Sequence, residues 1–506
     1  MQAGRVPVIV GVAQLRRRPE LDGPFHPIEP VQLMADAVRR AARDAGDPGL
    51  CEKADYLGAI PPLAWPYEDT PGRLAELLGT SPPLRHEPKP GGNSPVELVS
   101  HAASAIGRGE ARVAILAGAE AIHARQRAER EGISLDHWSP QPDTPIDVVL
   151  RGQPPMTSPL ELRHGFARPI DIFPLFENAI RAHAGRSIKE HQAVLGRMMA
   201  RLSAVAAKNP HAWFPVERRP EEFTTVSPSN RWICFPYPKL MNAIIAVDMG
   251  AALVLMSDAE CERRGIPPAR RVAFLAGASS LDPWTLTERR QFSRSAGCAA
   301  AGRAALDHAG IDVADVDLFD IYSCFPSAVE LAMDALGLES DDPRPLTVTG
   351  GLPCAGGPGN SYCMHSIATM VERLREGVGR VGCVSGLGMS AAKHAVSLFS
   401  ADPVRIAAAD GETPHVQLPA EEFSGPELAD APEGPGRIET YTVTFDRENR
   451  PQTGRLIVRL DDGRRTVAHG EQTRAAFARL IESEGVGLRG LVTPGQDGEP
   501  NRFQLE

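Results

Sequence analysis

The sequence predicts an α/β protein made of two homologous halves, followed by a small β-barrel domain. Three observations lead to this prediction. Apolar, strand-like runs alternate with helical patterns over residues 5–400, which is typical of a parallel sheet covered by helices. A turn–helix–strand segment of the first half recurs in the second half. Near the C-terminus, two stretches with period-2 alternation are followed by a strong hairpin signal.

The first half combines short apolar runs with an amphipathic helix. Buried strands are predicted at residues 8–12, 56–59 and 113–117, and a helix is predicted over residues 30–45. The run at residues 8–12 is almost wholly apolar, so we interpret it as a parallel strand covered on both faces.

Residues 122–235 interrupt this rhythm and are rich in Pro, His and Trp. Ser187 and Glu190 form an S-x-x-E capping box that predicts the start of a helix. Met198 and Met199 fall on its apolar stripe, and we interpret them as packing residues. An insertion between strands of an α/β layer commonly covers a substrate site.

The second half repeats the pattern of the first. A strand is predicted at residues 272–276, a helix at 299–309 and a strand at 318–322. A glycine turn, a helix and a final strand follow and end near residue 400.

The C-terminal segment predicts a small β domain. Tyr441 and Val443 alternate with polar residues along one strand, and Asp462-Gly463 predicts a hairpin turn. A short helix at 471–481 and a last strand near 488–493 complete an OB-like barrel. Residues 401–506 contain 12 Arg, no Lys and 19 acidic residues, a net charge of −7, which argues against binding of nucleic acid.

These patterns divide the chain into consecutive units. In chain order they are a first half over 1–270, which contains the insertion at about 122–235, a second half over 271–400, a linker over 401–436 and a barrel domain over 437–506.

Composition excludes several functional classes. The net charge of −10 argues against a nucleic-acid or anionic-membrane surface. The 8 cysteines form no CxxC pair, so we expect no disulfide framework, no metal site and a reducing, cytoplasmic location. The apolar stretch around Asp248 and Gly250 is broken by those two residues, so no membrane span is expected.

The repeated segment places two equivalent helix starts in the chain. Gly92-Asn93-Ser94 matches Gly359-Asn360-Ser361 at an offset of 267 residues.

With this duplication and four short motifs, the chain resembles the thiolase superfamily, most closely thiolase-like protein type 1, which is related to sterol-carrier-protein-type thiolases. The resemblance covers about residues 5–400 and implies a five-layered αβαβα thiolase fold with a loop domain. It also implies an acyl-CoA ligand bound through its pantetheine arm and Claisen chemistry. The C-terminal domain resembles OB-type acyl-CoA-binding partners of some thiolases.

Two family motifs have lost their catalytic side chain. The nucleophilic cysteine of the first motif corresponds to Gly92. The His of the family's GHP motif corresponds to Gly357, between Gly356 and Pro358, and the flanking Gly351 matches the family pattern. The resemblance therefore implies that classical thiolysis is lost.

Two further motifs are retained in part. The Asn or His that holds a catalytic water in the family corresponds to Tyr322, whereas Cys324 is kept. The CxG motif, whose Cys is an acid or base, reads Cys383-Val384-Ser385 and is followed by Gly386. Cys383, Cys324 and Tyr322 are therefore the candidate catalytic residues, with core packing as the alternative for both cysteines.

The remaining candidates concern substrate binding. We expect Ser94, Gly351, Gly356, Ser385 and Gly386 to shape the substrate site. Ser94 could replace the nucleophile only with a base such as His365 or His394 nearby, and a structural role at the start of the helix is the alternative. Arg289, Arg290 and Arg294 are candidates for binding CoA phosphates, with a solvated helix face as the alternative.

Two functions follow from the resemblance. The first is an acyl-CoA-dependent acyltransferase that has moved its chemistry to Cys383. The second is a non-catalytic acyl-CoA-binding or scaffold protein. A CoA thioester is the expected ligand, without a bound cofactor. A homodimer through the core sheets is implied by the family, but the appended domain could cover that surface, so the oligomeric state stays open.

Overall fold

The computed structural model describes residues 5–402, 405, 413–496 and 498–506. Its strands form one large mixed sheet and one smaller sheet. In chain order the strands are β1 Pro7–Arg16, β2 Tyr56–Ala59, β3 Leu84–His86, β4 Val113–Ala121, β5 Trp232–Cys234, β6 Tyr237–Pro238, β7 Asp248–Ser257, β8 Val272–Leu281, β9 Leu318–Asp320, β10 Val381–Gly388, β11 Lys393–Ser400, β12 His415–Val416, β13 Gly434–Phe445, β14 Pro451–Leu460, β15 Arg465–Gly470, β16 Arg489–Thr493 and β17 Arg502–Leu505.

The α-helices pack mainly on the large sheet. In chain order they are α1 Pro19–Asp22, α2 Pro30–Asp44, α3 Leu50–Lys53, α4 Thr70–Leu78, α5 Ser94–Arg108, α6 Ile122–Glu131, α7 Pro159–Arg163, α8 Pro169–His183, α9 Ile188–Ala206, α10 Pro220–Thr224, α11 Asp258–Arg264, α12 Ala296–Ala309, α13 Pro326–Leu336, α14 Leu352–Ala355, α15 Tyr362–Arg375 and α16 Arg474–Glu482.

The large sheet shows the duplication directly. Its strand order is β3-β2-β4-β7-β1-β8-β11-β10-β9, and β12 pairs with β8. In the first half β2 is parallel to β4, and β7 is antiparallel to β4 and β1. In the second half β9 is parallel to β10, and β11 is antiparallel to β10 and β8. The matching patterns on either side of the β1–β8 contact confirm the two homologous halves.

The prediction of a parallel sheet is wrong in one respect, because β7 and β11 run against both of their neighbours. A short turn joins β10 to β11, and a connection of that length reverses the chain direction. Strand β1, interpreted as a parallel strand, also pairs antiparallel with both of its neighbours, β7 and β8.

Helices cover the halves on the outside and separate them on the inside. The central helix α5 contacts β4 and β1 of the first half and β10 and β8 of the second, and it also contacts α15. On the outside, α2 packs on β1 and β7, whereas α12 packs on β8 and β11. The two halves of the large sheet therefore lie on either side of the central helices, and the layers follow the order helix, sheet half, helix, sheet half, helix, as the resemblance implies.

The insertion between β4 and β7 contains the helices α6–α10 and the short strands β5 and β6. Its helix α9 begins at the predicted capping box, where Ser187 Oγ accepts a hydrogen bond from the Glu190 amide and Glu190 Oε2 accepts one from the Ser187 amide. Met198 and Met199 are buried in the main core, which agrees with their interpretation as packing residues.

The C-terminal domain is a closed five-strand barrel in which β13 pairs with β14 and β16, and the ring continues through β15 and β17. The Asp462-Gly463 turn joins β14 to β15, as predicted. Strand β17 was missed, and β13 begins at Gly434, within the predicted linker. That linker also contains β12, and part of it lies outside the described residues.

The barrel is docked on both the insertion and the second half. Arg181 of α8 forms an ion pair with Glu484, with 2.5 Å between Nη1 and Oε2. Arg465 is fully buried, pairs with Glu439 at 2.6 Å and donates a hydrogen bond to the Thr287 carbonyl. No helix among the described residues is both long and apolar enough to cross a membrane.

Candidate functional site

The site is built where the two copies of the repeated segment meet. Gly91 has a φ of +151° and leads into Gly92 and Asn93, immediately before α5. Asn360, from the second copy, accepts a hydrogen bond from the Gly91 amide through Oδ1 at 3.0 Å. The start of the first central helix is therefore held by the equivalent turn of the second.

Tyr322 occupies the space that a side chain at position 92 would need. A Cβ atom built on Gly92 would lie 2.2 Å from Tyr322 Oη, 2.3 Å from Cζ and 2.5 Å from the Leu387 carbonyl oxygen. The phenol is buried and packs edge-on against Tyr362, with 5.6 Å between ring centroids. The Tyr322 amide donates a hydrogen bond to Ser385 Oγ at 3.1 Å. Position 92 therefore excludes the family nucleophile by steric conflict.

Gly357 differs from Gly92 in the room around it. A Cβ there would lie 3.1 Å from Leu352 Cδ2, the end of a flexible side chain. Gly351 and Gly356 have φ values of +76° and +100°, a region that favours glycine, so they preserve the backbone shape of the turn. At position 357 the family's His is therefore absent, and no other side chain fills the space that it would occupy.

Cys383 lies on the face of β10 that points away from the central helices. Side chains alternate between the two faces of β10. Cβ atoms built on Gly382 and Gly386 would collide with Met370 of α15 and with Asn93, so these two residues face the central helices. By this alternation Cys383 points to the opposite face of the sheet.

The thiol of Cys383 is also poorly suited to act as a nucleophile or base. Burial raises the pKa of Cys383 to about 12, so the thiol is protonated at neutral pH. Reactive cysteines show the opposite shift. Cys324 is partly exposed, and burial raises its pKa as well.

The cavity behind Tyr322 is very small. Its volume is about 10 Å³, roughly that of one water probe, so it cannot take a pantetheine arm. Its lining residues are Cys298, Tyr322, Ala328, Leu331, Ala332, Ser385, Gly386, Leu387 and His394.

Ser94 has the structural role that the sequence offered as the alternative to catalysis. It is buried, and its Oγ donates a hydrogen bond to the Lys89 carbonyl at 2.7 Å. Of the two bases considered for it, His365 pairs with Gln14 of β1 at 3.0 Å, and burial lowers its pKa to about 3. His394 pairs with Asp282 at 2.9 Å.

A larger cleft opens beside the same turn. It has a volume of about 640 Å³ and is lined in part by Lys89, Glu97, Trp284 and Lys393. Lys393 is buried, and its Nζ donates hydrogen bonds to the Pro90 carbonyl at 3.2 Å and to Gln153 Oε1 at 3.1 Å. The same Nζ lies 3.4 Å from a Cβ position built on Gly91, so the cleft reaches the family's nucleophile turn.

Comparison with known proteins identifies the family. A monomeric SCP2-thiolase like protein type 1 from Mycobacterium smegmatis has a similar structure, with a TM-score of 0.82, 32% sequence identity and 100% of both chains covered. The chain belongs to the SCP2-thiolase-like protein type 1 family. Residues 416–499 match the family model described as thiolase-like protein type 1 additional C-terminal domain. That match begins within the predicted linker.

More distant structures share the thiolase fold. An Ltp2-ChsH2(DUF35) aldolase matches with a TM-score of 0.59, 19% identity and coverage of 79% of this chain and 99% of that one. An acetyl-CoA acetyltransferase from Syntrophomonas wolfei matches with a TM-score of 0.56, 16% identity and coverage of 78% and 99%. A search of curated proteins found no match.

One thiol close to position 92, that of Cys363, was not predicted from the sequence. Cys363, at the start of α15, donates a hydrogen bond from Sγ to the Gly92 carbonyl at 3.1 Å. Burial raises its pKa well above the usual value, which keeps it in the thiol form. Only the repeat alignment, which places residue 363 beside the second glycine turn, could have suggested it.

A second group is the buried cluster that His394, named above as a candidate base, forms with Asp282 and Ser295, which were not predicted. Ser295 Oγ donates a hydrogen bond to Asp282 Oδ2 at 2.5 Å, and His394 Nε2 lies 2.9 Å from the same oxygen. Burial alone would raise the Asp282 pKa, but His394 and Arg289 hold it well below its ordinary value. Arg289 is itself buried, and it donates a hydrogen bond to the Ala391 carbonyl at 2.7 Å. It is therefore neither available to CoA phosphates nor part of a solvated helix face.

Proposed function

We propose that this protein binds a CoA thioester non-covalently on a thiolase scaffold and does not form an acyl-enzyme at the family's nucleophile position. The contact between Tyr322 and Gly92 carries this proposal, because it leaves no space for any side chain at the start of α5. Of the two functions that the sequence suggests, this favours the non-catalytic acyl-CoA-binding protein over the acyltransferase.

The protonation of the nearby thiols supports the same proposal. Thiolysis needs a thiolate to attack the acyl carbonyl and a second group to move a proton. Burial raises the pKa of Cys383 to about 12 and raises that of Cys363 well above its usual value. Neither thiol is therefore available as a thiolate near pH 7, and the His that would complete an oxyanion hole is replaced by Gly357.

The cleft beside Gly91 is the proposed binding site. Its volume of about 640 Å³ lies in the range of small-molecule pockets. Lys89 is exposed at its wall and offers a charge to phosphate groups, whereas Trp284 offers an aromatic face to the adenine ring. The buried Lys393 ammonium lies at the inner end, where it could donate to a pantetheine carbonyl.

Calorimetry with CoA, acetyl-CoA and acetoacetyl-CoA tests this proposal. We expect saturable binding that weakens about 10-fold in Lys89→Glu, since one charge-assisted contact is replaced by repulsion. Lys208→Glu is the matched control, because Lys208 is exposed and does not line the cleft. Absence of heat and of a shift in Tm with all three compounds would overturn the proposal.

Assembly and location are part of the same proposal. The M. smegmatis relative is described as monomeric, which supports a monomer for this chain over the dimer that thiolases in general suggest. All eight cysteines are unpaired, which supports a reducing compartment such as the cytoplasm. Light scattering of the purified protein measures its oligomeric state.

A further inference from the structure

A buried cluster of ligand-type side chains lies where the insertion meets the second half. Glu177 is on α8, His191 is in the first turn of α9, and Glu330 is on α13. One potential ligand atom from each residue lies within 4.8 Å of the other two. We propose that Glu177, His191 and Glu330 bind a divalent first-row transition-metal ion, for which zinc and manganese are the candidates.

The cluster contains an oxygen atom that needs a partner. His191 Nε2 lies 2.5 Å from Glu177 Oε1 and 3.7 Å from Glu330 Oε2. Glu330 Oε2 is shielded from solvent and has no hydrogen-bond partner among the described residues. The side chains of Glu177 and His191 are 0% and 1% exposed, whereas that of Glu330 is 13% exposed with its Oε2 on the shielded side. A bound cation would satisfy the carboxylate oxygen, which is costly to leave buried without a partner.

The charges of the cluster also call for a cation. Two carboxylates meet in a buried space, and both cannot stay ionised without compensation. Arg186 is a partial counter-ion, since its Nη1 lies 3.4 Å from Glu330 Oε1. A divalent ion would supply the compensating charge that Arg186 gives only in part.

One ring nitrogen of His191 already points into the cluster, because its Nε2 lies 2.5 Å from Glu177 Oε1. Coordination through Nε2 requires the proton to sit on Nδ1, which now lies 3.4 Å from Arg186 Nη1. The Arg186 side chain is 27% exposed and can turn toward solvent when the tautomer changes.

The donor set indicates the class of metal and its role. One imidazole and two carboxylates suit zinc, manganese or iron(II), whereas calcium and magnesium prefer oxygen ligands alone. Tyr237 Oη donates to Glu177 Oε2 at 2.6 Å and thereby orients that carboxylate, as second-shell groups do in metal sites. Because α8 and α9 belong to the insertion and α13 to the second half, the ion would link the two. No metal site was expected from the spacing of the cysteines. The proposed ligands include no cysteine, so that expectation does not apply to this cluster.

Metal analysis of the full chain, with any affinity tag removed, tests the proposal. After loading with zinc sulfate or manganese chloride and dialysis, we expect one equivalent of metal per chain. Removal of the ion with a chelator should lower Tm by about 3 °C, and the metal should restore it. His191→Gln and Glu330→Gln should weaken binding by more than about 10-fold.

Matched controls separate this site from surface binding. His26→Gln and Glu52→Gln change exposed residues of the same types and should keep the full equivalent of metal. No retained metal in the wild-type chain, or equal retention in the ligand variants, would overturn the proposal. If the ligand variants do not fold, X-ray absorption of the zinc-loaded wild-type protein decides, since sulfur ligands would contradict it and a nitrogen and oxygen shell would support it.

Discussion

Adding a single methyl group at position 92 should destabilise the protein strongly. In Gly92→Ala the new Cβ would overlap Tyr322 Oη at 2.2 Å, Tyr322 Cζ at 2.3 Å and the Leu387 carbonyl oxygen at 2.5 Å. The phenol must move by about 1 Å against a packed interior, and the carbonyl is part of β10. Overpacking of this kind costs about 1–3 kcal/mol, and we expect the upper end, about 3 kcal/mol.

The other degenerate position provides the matched control. In Gly357→Ala the nearest atom is Leu352 Cδ2 at 3.1 Å, which can shift with its side chain, so the expected cost is below about 1 kcal/mol. Both Gly→Ala substitutions lower the conformational entropy of the unfolded chain by the same amount, so this contribution to the free energy of unfolding cancels between them. Chemical denaturation and Tm of the two variants measure the difference.

A double variant tests the contact itself. Tyr322→Ala leaves a cavity and is costly alone, but it removes two of the three overlaps with a Cβ at position 92. Adding Gly92→Ala in that background should therefore cost about 2 kcal/mol less than it does in the wild-type chain. Equal stability of Gly92→Ala, Gly357→Ala and wild type would refute the steric argument.

Three further predictions concern other buried groups. In the native protein Cys383 should resist alkylation at pH 7.5, since burial raises its pKa to about 12, and peptide mapping that found rapid labelling there would contradict this. Asp282→Asn should lower stability at pH 7 by about 3 kcal/mol. Because the folded pKa of Asp282 lies below its unfolded value, its contribution is full above about pH 4 and is lost as pH falls further, so the Tm difference between variant and wild type should shrink in acid. Arg465→Met should loosen the docking of the barrel and speed limited proteolysis between the domains, because this buried cation donates a hydrogen bond to the Thr287 carbonyl of the second half. Arg464→Met is the control, since the Arg464 side chain is 42% exposed and pairs with Asp462.

Local patterns carried most of the fold prediction. The capping box at Ser187 and the hairpin at Asp462-Gly463 depend on neighbours a few residues away, and both occur as predicted. The duplication was visible because each half keeps the same order of turn, helix and strand. Strand β17 was missed because it is only four residues long and follows an irregular segment.

The candidate site is formed by contacts between residues far apart in the chain, which local sequence patterns do not predict. The two losses at Gly92 and Gly357 could be identified from the motifs, but the filling of the first space by Tyr322 joins residues far apart in the chain. The same holds for His394 and Asp282, which are 112 residues apart. For Cys383, the alignment gives the position along β10 but not the face of the sheet to which the side chain points.

Intact-mass analysis after incubation with acetoacetyl-CoA and other acyl-CoAs tests the central claim most directly. Native mass spectrometry of the same samples reports non-covalent binding, and peptide mapping locates any adduct. We predict a saturable non-covalent complex with unmodified protein after denaturation. A stoichiometric acyl adduct on Cys363, Cys383, Cys324 or Ser94 would contradict the account and show a working nucleophile on this thiolase scaffold.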